Sequence, residues 1–315
     1  MQKEIGGYIE FERYDGKQYH EDALKLNCAR NCLAYLIAVY RIQKIYLPYF
    51  LCDSVWKVCK KYGVQVSFYH IDENFRPILP NADFEKDWLY VVNYYGQVSN
   101  QEIAFISQSV KNLIVDNVQS FFQKPVQGLP TIYTCRKFFG VADGAYLYTD
   151  KTVSGELERD ISFERMEHLL GRFERSASEF YPAFAENEKI FEALPVKRMG
   201  ALTENLMRSF DYERIAKRRA ENFRFLHENL QNVNKLNLTV PYGAYMYPLL
   251  LENGSEIRKH LQEQKIYIPT LWGDVFEVCR KGSLEYNYAE NILPLPVDQR
   301  YGEEEMKLII TYLKN

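Results

Sequence analysis

The stretch that decides the fold is NLIVDNVQSFFQKPVQGLPTIYTCRKFFGVADGAYLYTD, residues 112–150. It begins with a short apolar run that predicts a buried strand, and polar side chains, Asp116 and Gln119, follow this run. Residues 131–150 predict two further strands around an irregular turn that contains Lys137. An acid, an amide and a lysine are therefore expected where predicted strands end, which is where ligands of α/β sheets usually bind.

The residues before this stretch alternate between two kinds of pattern. Apolar side chains recur at helical spacing in 27–42 and 54–63, whereas 44–50, 64–72 and 88–96 are typical of strands. Strands that alternate with helices of this length favour βαβ units. The predicted fold class is therefore α/β, with a mostly parallel sheet flanked by helices.

The residues after it change character. Long, charged segments with apolar periodicity predict helices in 156–180 and 211–230, and a last helix is predicted in 302–314. A chain of 315 residues exceeds the usual size of one domain. We predict a large domain over 1–210 and a small C-terminal α/β domain over 211–315.

Composition narrows the classes of function. The net charge is −3, from 39 basic and 42 acidic residues, so nothing predicts a nucleic-acid or membrane partner. The N-terminus has no apolar signal region, and the six cysteines are expected as thiols in a reducing cytoplasm. Neither cysteines nor histidines have metal-ligand spacing, so no metal is predicted. Nucleotide-binding glycine motifs and the GxSxG elbow are also missing from the sequence.

Three segments remain as candidates for chemistry, and each has a plain structural alternative. Cys28, Ala29 and Arg30 open a helix whose amides can bind an anion, or they simply cap that helix. Asp116 can hold a protonated ring nitrogen, or it caps a strand-to-helix turn. Lys137 is a surface lysine, or an amine suited to Schiff-base chemistry. Taken one at a time, these alternatives stay open.

Together the three segments resemble the DegT/StrS family of sugar aminotransferases, which have the fold of fold-type I pyridoxal-phosphate (PLP) transferases. The resemblance rests on Cys28–Leu33 as the small-residue loop, LPYFLCDSV (47–55), VVNYYGQ (91–97), Asp116–Gln119 and KFFGVADGA (137–145). The acid precedes the lysine by 21 residues (137 − 116), in the family's chain order.

The resemblance implies a role for each candidate residue. Lys137 would carry the cofactor PLP as a Schiff base and then move protons, while Asp116 would keep the ring nitrogen protonated and Gln119 would bond the ring hydroxyl. The residues implied in phosphate binding are Cys28, Ala29, Arg30 and Thr134. Tyr49 or Phe50 is expected to stack on the ring, although the usual stacking position falls nearer Cys52.

The activity that the resemblance implies is transfer of an amino group, from glutamate, to a nucleotide-linked keto-sugar in polysaccharide or antibiotic-sugar biosynthesis. A homodimer with shared active sites is implied as well. Cations for the nucleotide are expected among Arg136, Lys197, Arg198 and Arg300. Two alternatives remain: a PLP enzyme acting on a small keto-acid or amino acid, and a catalytically silent binding protein with this fold.

The sequence also departs from the family pattern. Cys28-Ala29 replaces Ser-Gly in the small-residue loop, which removes a strong hydroxyl donor and the most permissive backbone. After the lysine, Ala142 and Ala145 replace glycines, and Gly144 is retained. These changes bear on phosphate geometry and substrate more than on the chemistry.

Overall fold

A seven-stranded sheet forms the centre of the chain in the computed structural model, which describes residues 5–314. Its strands are β1 (Leu24–Leu26), β2 (Lys44–Pro48), β3 (Gln65–Tyr69), β4 (Trp88–Val92), β5 (Leu113–Asp116), β6 (Thr131–Thr134) and β7 (Ala145–Tyr148). The order across the sheet is β1-β7-β6-β5-β4-β2-β3. Strands β2 to β6 pair in parallel, and only β7 and β1 pair antiparallel to their neighbours. The predicted mostly parallel α/β sheet is confirmed.

Three helices connect the first strands: α1 (Ala29–Tyr40), α2 (Asp53–Lys61) and α3 (Asn100–Ser109). In α1 the residues from 31 to 37 are all buried, and the helix contacts β6, β7 and α2. Helix α3 begins at a capping box, in which the Ser99 and Glu102 side chains bond each other's main-chain amides. The helices predicted in 27–42 and 54–63 are confirmed as α1 and α2.

The rest of the chain is mainly helical. It comprises α4 (Glu167–Glu174), α5 (Tyr181–Ala193), α6 (Ala201–Leu206), α7 (Tyr212–Leu230), β8 (Met246–Leu250), α8 (Gly254–Glu263), α9 (Val275–Val278), α10 (Leu284–Asn291), β9 (Ile292–Pro296) and α11 (Glu303–Lys314). Strands β8 and β9 form a separate antiparallel pair, against which α7, α8 and α10 pack. The helices predicted in 211–230 and 302–314 are confirmed as α7 and α11. The domain boundary at 210/211 falls just before α7 and stays a prediction.

Two features of the fold differ from the expectations. Strand β1 was not predicted, because three residues are too few to show a periodicity. The charged segment 156–180 is mostly irregular and contains only α4 and a short 3-10 turn. Asp160 explains part of this: its carboxylate accepts hydrogen bonds from the amide of Ile161 and the guanidinium of Arg165, which favours a turn. None of the helices within 5–314 is both long and apolar enough to cross a membrane.

Candidate functional site

Asp116 is the last residue of β5, and its carboxylate is buried with only 3% of the residue exposed. Its Oδ2 accepts a hydrogen bond of 2.7 Å from the hydroxyl of Tyr90, and its Oδ1 accepts one of 2.9 Å from the amide of Val118. Burial raises the pKa of Asp116 above its ordinary value, while the charge of Lys137 and the two hydrogen bonds act in the opposite direction. The structure therefore holds an oriented carboxyl group at the carboxyl end of β5, the central strand of the sheet.

Gln119 is buried three residues further on. Its Oε1 accepts a hydrogen bond of 2.8 Å from the amide of Tyr95, a residue in the left-handed conformation with φ 53°. Because Oε1 is held by a donor, the orientation of the side-chain amide is fixed, and its NH2 group is the end available for donation. A hydrogen-bond donor is what the role implied for Gln119, binding the ionised hydroxyl of the PLP ring, requires.

Lys137 lies in the connection between β6 and β7, residues 135–144, which we call the lysine turn and which contains several main-chain hydrogen bonds. The amide of Cys135 donates to the carbonyl of Gly144 at 3.0 Å, and the amide of Phe138 donates to the carbonyl of Cys135 at 3.0 Å. Gly144 has φ +109°, and a Cβ at this position would lie 3.0 Å from the Thr203 side chain. Any other residue would be strained here, which accounts for the one glycine that the sequence retains.

The Lys137 side chain is exposed. Its Nζ lies 5.6 Å from the centre of the Tyr245 ring, within the range of a cation–π contact. Desolvation lowers the pKa of Lys137 below its ordinary value, and the negative charge of Asp116 opposes the shift. Solvent access limits the size of this shift. The direction nevertheless favours a nucleophilic, uncharged amine.

The start of α1 is joined directly to the lysine turn, since the amide of Gly144 donates to the carbonyl of Asn27 at 2.6 Å. Cys28 is the N-cap residue, has an extended backbone, and makes no side-chain hydrogen bond to the helix. Burial raises the pKa of the Cys28 thiol, so it stays neutral. Thr134, the buried last residue of β6, precedes the lysine turn. Amides at such a helix start favour an anion.

Two arginines meet one carboxylate at this point. Arg30 Nη2 lies 3.2 Å from Oε2 of Glu188 in α5, and Arg136 contacts Oε1 of the same side chain. The Arg136 guanidinium also lies 4.4 Å from the centre of the Phe191 ring. Desolvation lowers the pKa of Arg136 to about 10, so it remains charged near neutral pH. The pair of guanidinium groups carries one more positive charge than Glu188 neutralises.

Two of the other cations expected to bind a nucleotide are paired with acids. Lys197 lies 3.1 Å from Glu158, and Arg300 lies 2.7 Å from Asp298. Arg198 takes part in the sheet edge through isolated β-bridges to Leu26 and Arg159. Of the four candidates, Arg136 is the one whose charge acts on Lys137.

The two aromatic side chains expected to stack on the ring contact other rings. Phe50 is buried and packs against Trp272, with 4.5 Å between ring centres. Tyr49 stacks on Phe68 at 5.1 Å. Tyr245 is the aromatic ring beside Lys137, and the sequence analysis missed it because it lies in the C-terminal part of the chain.

Cys52 is the N-cap residue of α2. Its Sγ and the carboxylates of Asp53 and Asp274 lie within 4.8 Å of one another. Both acids already have partners, since Lys57 pairs with Asp53, and the amide of Asp53 donates to Asp274 at 3.2 Å. The cluster is therefore accounted for by the contact between α2 and the segment that precedes α9.

The structure thus places most of the predicted residues in one region, which we call the strand-end site. It comprises Asp116, Gln119, Thr134, Lys137 and the start of α1 with Cys28, Ala29 and Arg30. Three contacts of this site were missed: Tyr90 on Asp116, Glu188 on the arginines, and Tyr245 on Lys137. Tyr90 sits in β4, next to β5, so strand order alone would have suggested it.

Comparison with known proteins agrees with this arrangement at the level of fold. No protein-family model and no curated protein matches the sequence. The DegT DnrJ EryC1 StrS aminotransferase from Brucella abortus has a similar structure, with a TM-score of 0.59 and 14% identity, over 93% of this chain and 85% of that chain. The sugar aminotransferase CalS13 from Micromonospora echinospora has a TM-score of 0.61 and 11% identity, over 93% of this chain and 87% of that chain. The putative sugar aminotransferase Spr1654 from Streptococcus pneumoniae, in its PLP form, has a TM-score of 0.60 and 14% identity, over 93% of this chain and 86% of that chain.

The fold is therefore that of the fold-type I PLP transferases, as the sequence resemblance predicted. Within that class, the similar structures named above include sugar aminotransferases. At these identities the likeness concerns the fold alone.

Proposed function

We propose that this protein is a PLP-dependent aminotransferase that moves an amino group from glutamate to a nucleotide-linked keto-sugar. One observation carries the proposal: the strand-end site combines a buried acid, a lysine and an anion-binding helix start within the fold of aminotransferases. Support also comes from the charges of Asp116 and Lys137, each of which acts on the pKa of the other. A silent scaffold has no need of this set.

The residues of the strand-end site fit the chemical groups of the cofactor. Asp116 offers a buried carboxylate to a protonated ring nitrogen, and Gln119 offers an amide donor to the ring hydroxyl. Arg30, Arg136 and the first amides of α1 supply positive charge and donors for the phosphate, with Thr134 adding a hydroxyl. Cys28 contributes its main chain, since its thiol is a weak donor.

Bound PLP supplies an electron sink for bonds at the amino-bearing carbon. Asp116 sustains that property, because its negative charge favours a protonated nitrogen in its surroundings. Lys137 would hold the cofactor through Nζ and would accept or return a proton at the same atom. The lowered pKa of Lys137 favours the uncharged amine that both roles need.

The test of the cofactor assignment is optical. Purified protein should acquire visible absorbance with PLP, lose it on treatment with borohydride, and lose it in a single turnover with glutamate. Lys137→Ala should show none of these changes while its circular dichroism stays that of the wild type. Wild-type protein that binds no PLP would favour the silent binding protein instead.

The acceptor is proposed from the aminotransferases of similar structure, which include sugar aminotransferases. Protein converted to the amino form of the cofactor should be returned to the starting form faster by a nucleotide-linked keto-sugar than by pyruvate or oxaloacetate. A faster reaction with the simple keto-acids would favour the small-molecule transaminase.

We also propose a homodimer with shared active sites. Support comes from apolar side chains that are exposed in the segment between residues 161 and 184. Phe173 is 89% exposed and Phe163 is 64% exposed. Several exposed apolar side chains within one segment are typical of an interface. Sedimentation at micromolar concentration should give a dimer; a monomer would contradict this part of the proposal.

A further inference from the structure

Arg219 of α7 is enclosed by protein, with only 2% of the residue exposed. Its Nη1 donates to the main-chain carbonyls of Ala244 at 2.9 Å and Tyr245 at 3.4 Å. Its Nη2 donates to the carbonyl of Phe138 at 3.2 Å, and its Nε donates to Oε1 of Gln299 at 2.7 Å. These partners are all uncharged acceptors, three of them on the main chain.

Burying this guanidinium costs free energy, which indicates that its hydrogen bonds serve a purpose beyond stability. Desolvation lowers the pKa of Arg219 to about 10, and the group remains protonated near neutral pH. Asp298 acts on Arg219 by its charge, yet its carboxylate forms an ion pair with Arg300. Apolar residues often replace buried charges without loss of stability. Stability alone therefore gives a weak reason for a buried arginine here.

The contacts of Arg219 converge on Lys137 from two directions. Phe138 is the next residue in the chain, and its carbonyl accepts a second hydrogen bond of 2.8 Å from Nε2 of Gln299. Tyr245, whose carbonyl Arg219 also contacts, places its ring 5.6 Å from Lys137 Nζ. One guanidinium thus fixes both the main chain that carries the lysine and the ring beside its amine.

We propose that Arg219, together with Gln299, is a positioning residue for Lys137. It holds the lysine turn and Tyr245 in fixed positions relative to each other, and so sets the direction and surroundings of Nζ. The inference rests on the proposed function for its purpose, but its contacts stand independently. It also means that the segment after β9, where Gln299 lies, acts on the reactive lysine.

The experiment compares Arg219→Met with Asn222→Leu, a matched control one turn along the same helix. Asn222 is equally buried and donates to the carbonyls of Val297, Asp298 and Tyr301. It joins α7 to the same segment without touching the lysine turn. Gln299→Met removes one donor from Phe138 and serves if Arg219→Met does not fold. Arg219→Lys keeps the positive charge but loses the planar guanidinium with its several donors.

The first measurement uses protein without cofactor. Lysines are acetylated over a range of pH, and the rate at Lys137 is read by peptide mass spectrometry. We expect the midpoint of this profile to shift in Arg219→Met and Gln299→Met, because a loosened turn changes the surroundings of the amine, and to stay unchanged in Asn222→Leu. An unchanged midpoint in both Arg219→Met and Gln299→Met, or an equal shift in Asn222→Leu, would overturn the proposal.

The second measurement is the rate at which added PLP becomes trapped on Lys137 by borohydride. We expect Arg219→Met to slow it by on the order of tenfold to a hundredfold, the scale of a displacement of about 1 Å, with Arg219→Lys giving partial rescue at most. A wild-type rate in Arg219→Met would contradict the proposal. If the wild-type protein traps no PLP, the proposed function fails, whereas the acetylation profile still decides the role of Arg219.

Discussion

The hydroxyl of Tyr90 donates a hydrogen bond of 2.7 Å to the carboxylate of Asp116, linking neighbouring strands β4 and β5 inside the sheet. Tyr90→Phe removes the bond and leaves the volume unchanged. Because this hydrogen bond lowers the pKa of Asp116, its loss should raise that pKa further and reduce turnover. We expect a stability loss of about 1–2 kcal/mol by urea unfolding.

Tyr69→Phe is the control for this variant. Tyr69 is also buried and donates to the main-chain carbonyl of Tyr90 at 2.8 Å, so it loses a comparable bond without touching the carboxylate. Equal loss of turnover in both variants would indicate a general packing effect and would contradict the specific role of Tyr90.

Asp116→Asn should separate stability from function. A raised carboxyl pKa means that the ionised group opposes folding; this cost is absent below the ordinary pKa of 3.8 and develops fully above the raised one. Without cofactor, Asp116→Asn should therefore be at least as stable as wild type near pH 7, and the difference should vanish toward about pH 4. Turnover should fall sharply. A variant clearly less stable at neutral pH would show that the carboxylate is needed for folding.

Glu188→Gln tests the charge at the start of α1. Because Glu188 occupies both Arg30 and Arg136, its neutralisation should free positive charge for the cofactor phosphate. We expect the dissociation constant of PLP to fall by about tenfold, equivalent to about 1.4 kcal/mol. Glu186→Gln on the same helix, where Glu186 lies 3.8 Å from Lys189, should change nothing. Weaker binding in Glu188→Gln would mean that the carboxylate orients the arginines for the phosphate.

His20 should contribute to unfolding in acid. Its Nε2 donates to the carbonyl of Phe121 at 2.8 Å, and its Nδ1 accepts from Tyr148 at 3.0 Å, so the buried ring is neutral. Desolvation lowers its pKa to about 3 from 6.5. The stabilisation is present above 6.5 and is lost as pH falls toward 3. His20→Gln should flatten the decline of unfolding free energy over that range. An unchanged slope would contradict this.

Sequence patterns predicted the elements whose apolar runs are long and the residues at their ends. Residues 27–42 and 211–230 show clear helical periodicity, and both are helices. The order of Asp116 and Lys137 along the chain placed both in the strand-end site, because they end or follow adjacent strands, β5 and β6. Their assigned roles remain predictions.

Contacts between distant parts of the chain were beyond the reach of such patterns. Glu188 and Tyr245 come from α5 and from the segment before β8, and no local periodicity pairs them with Arg30 or Lys137. Three-residue β1 forms because β7 offers it an antiparallel edge, which its own sequence does not encode. The ion pair between Lys197 and Glu158 likewise depends on how separate segments pack.

The most direct test of the central claim is to identify the lysine that binds PLP. Wild-type protein is incubated with PLP, reduced with borohydride, digested, and analysed by mass spectrometry for a pyridoxyl group. We predict the modification on the peptide containing Lys137, with none in Lys137→Ala. A modification on another lysine that persists in Lys137→Ala, or none in the wild type, would contradict the account.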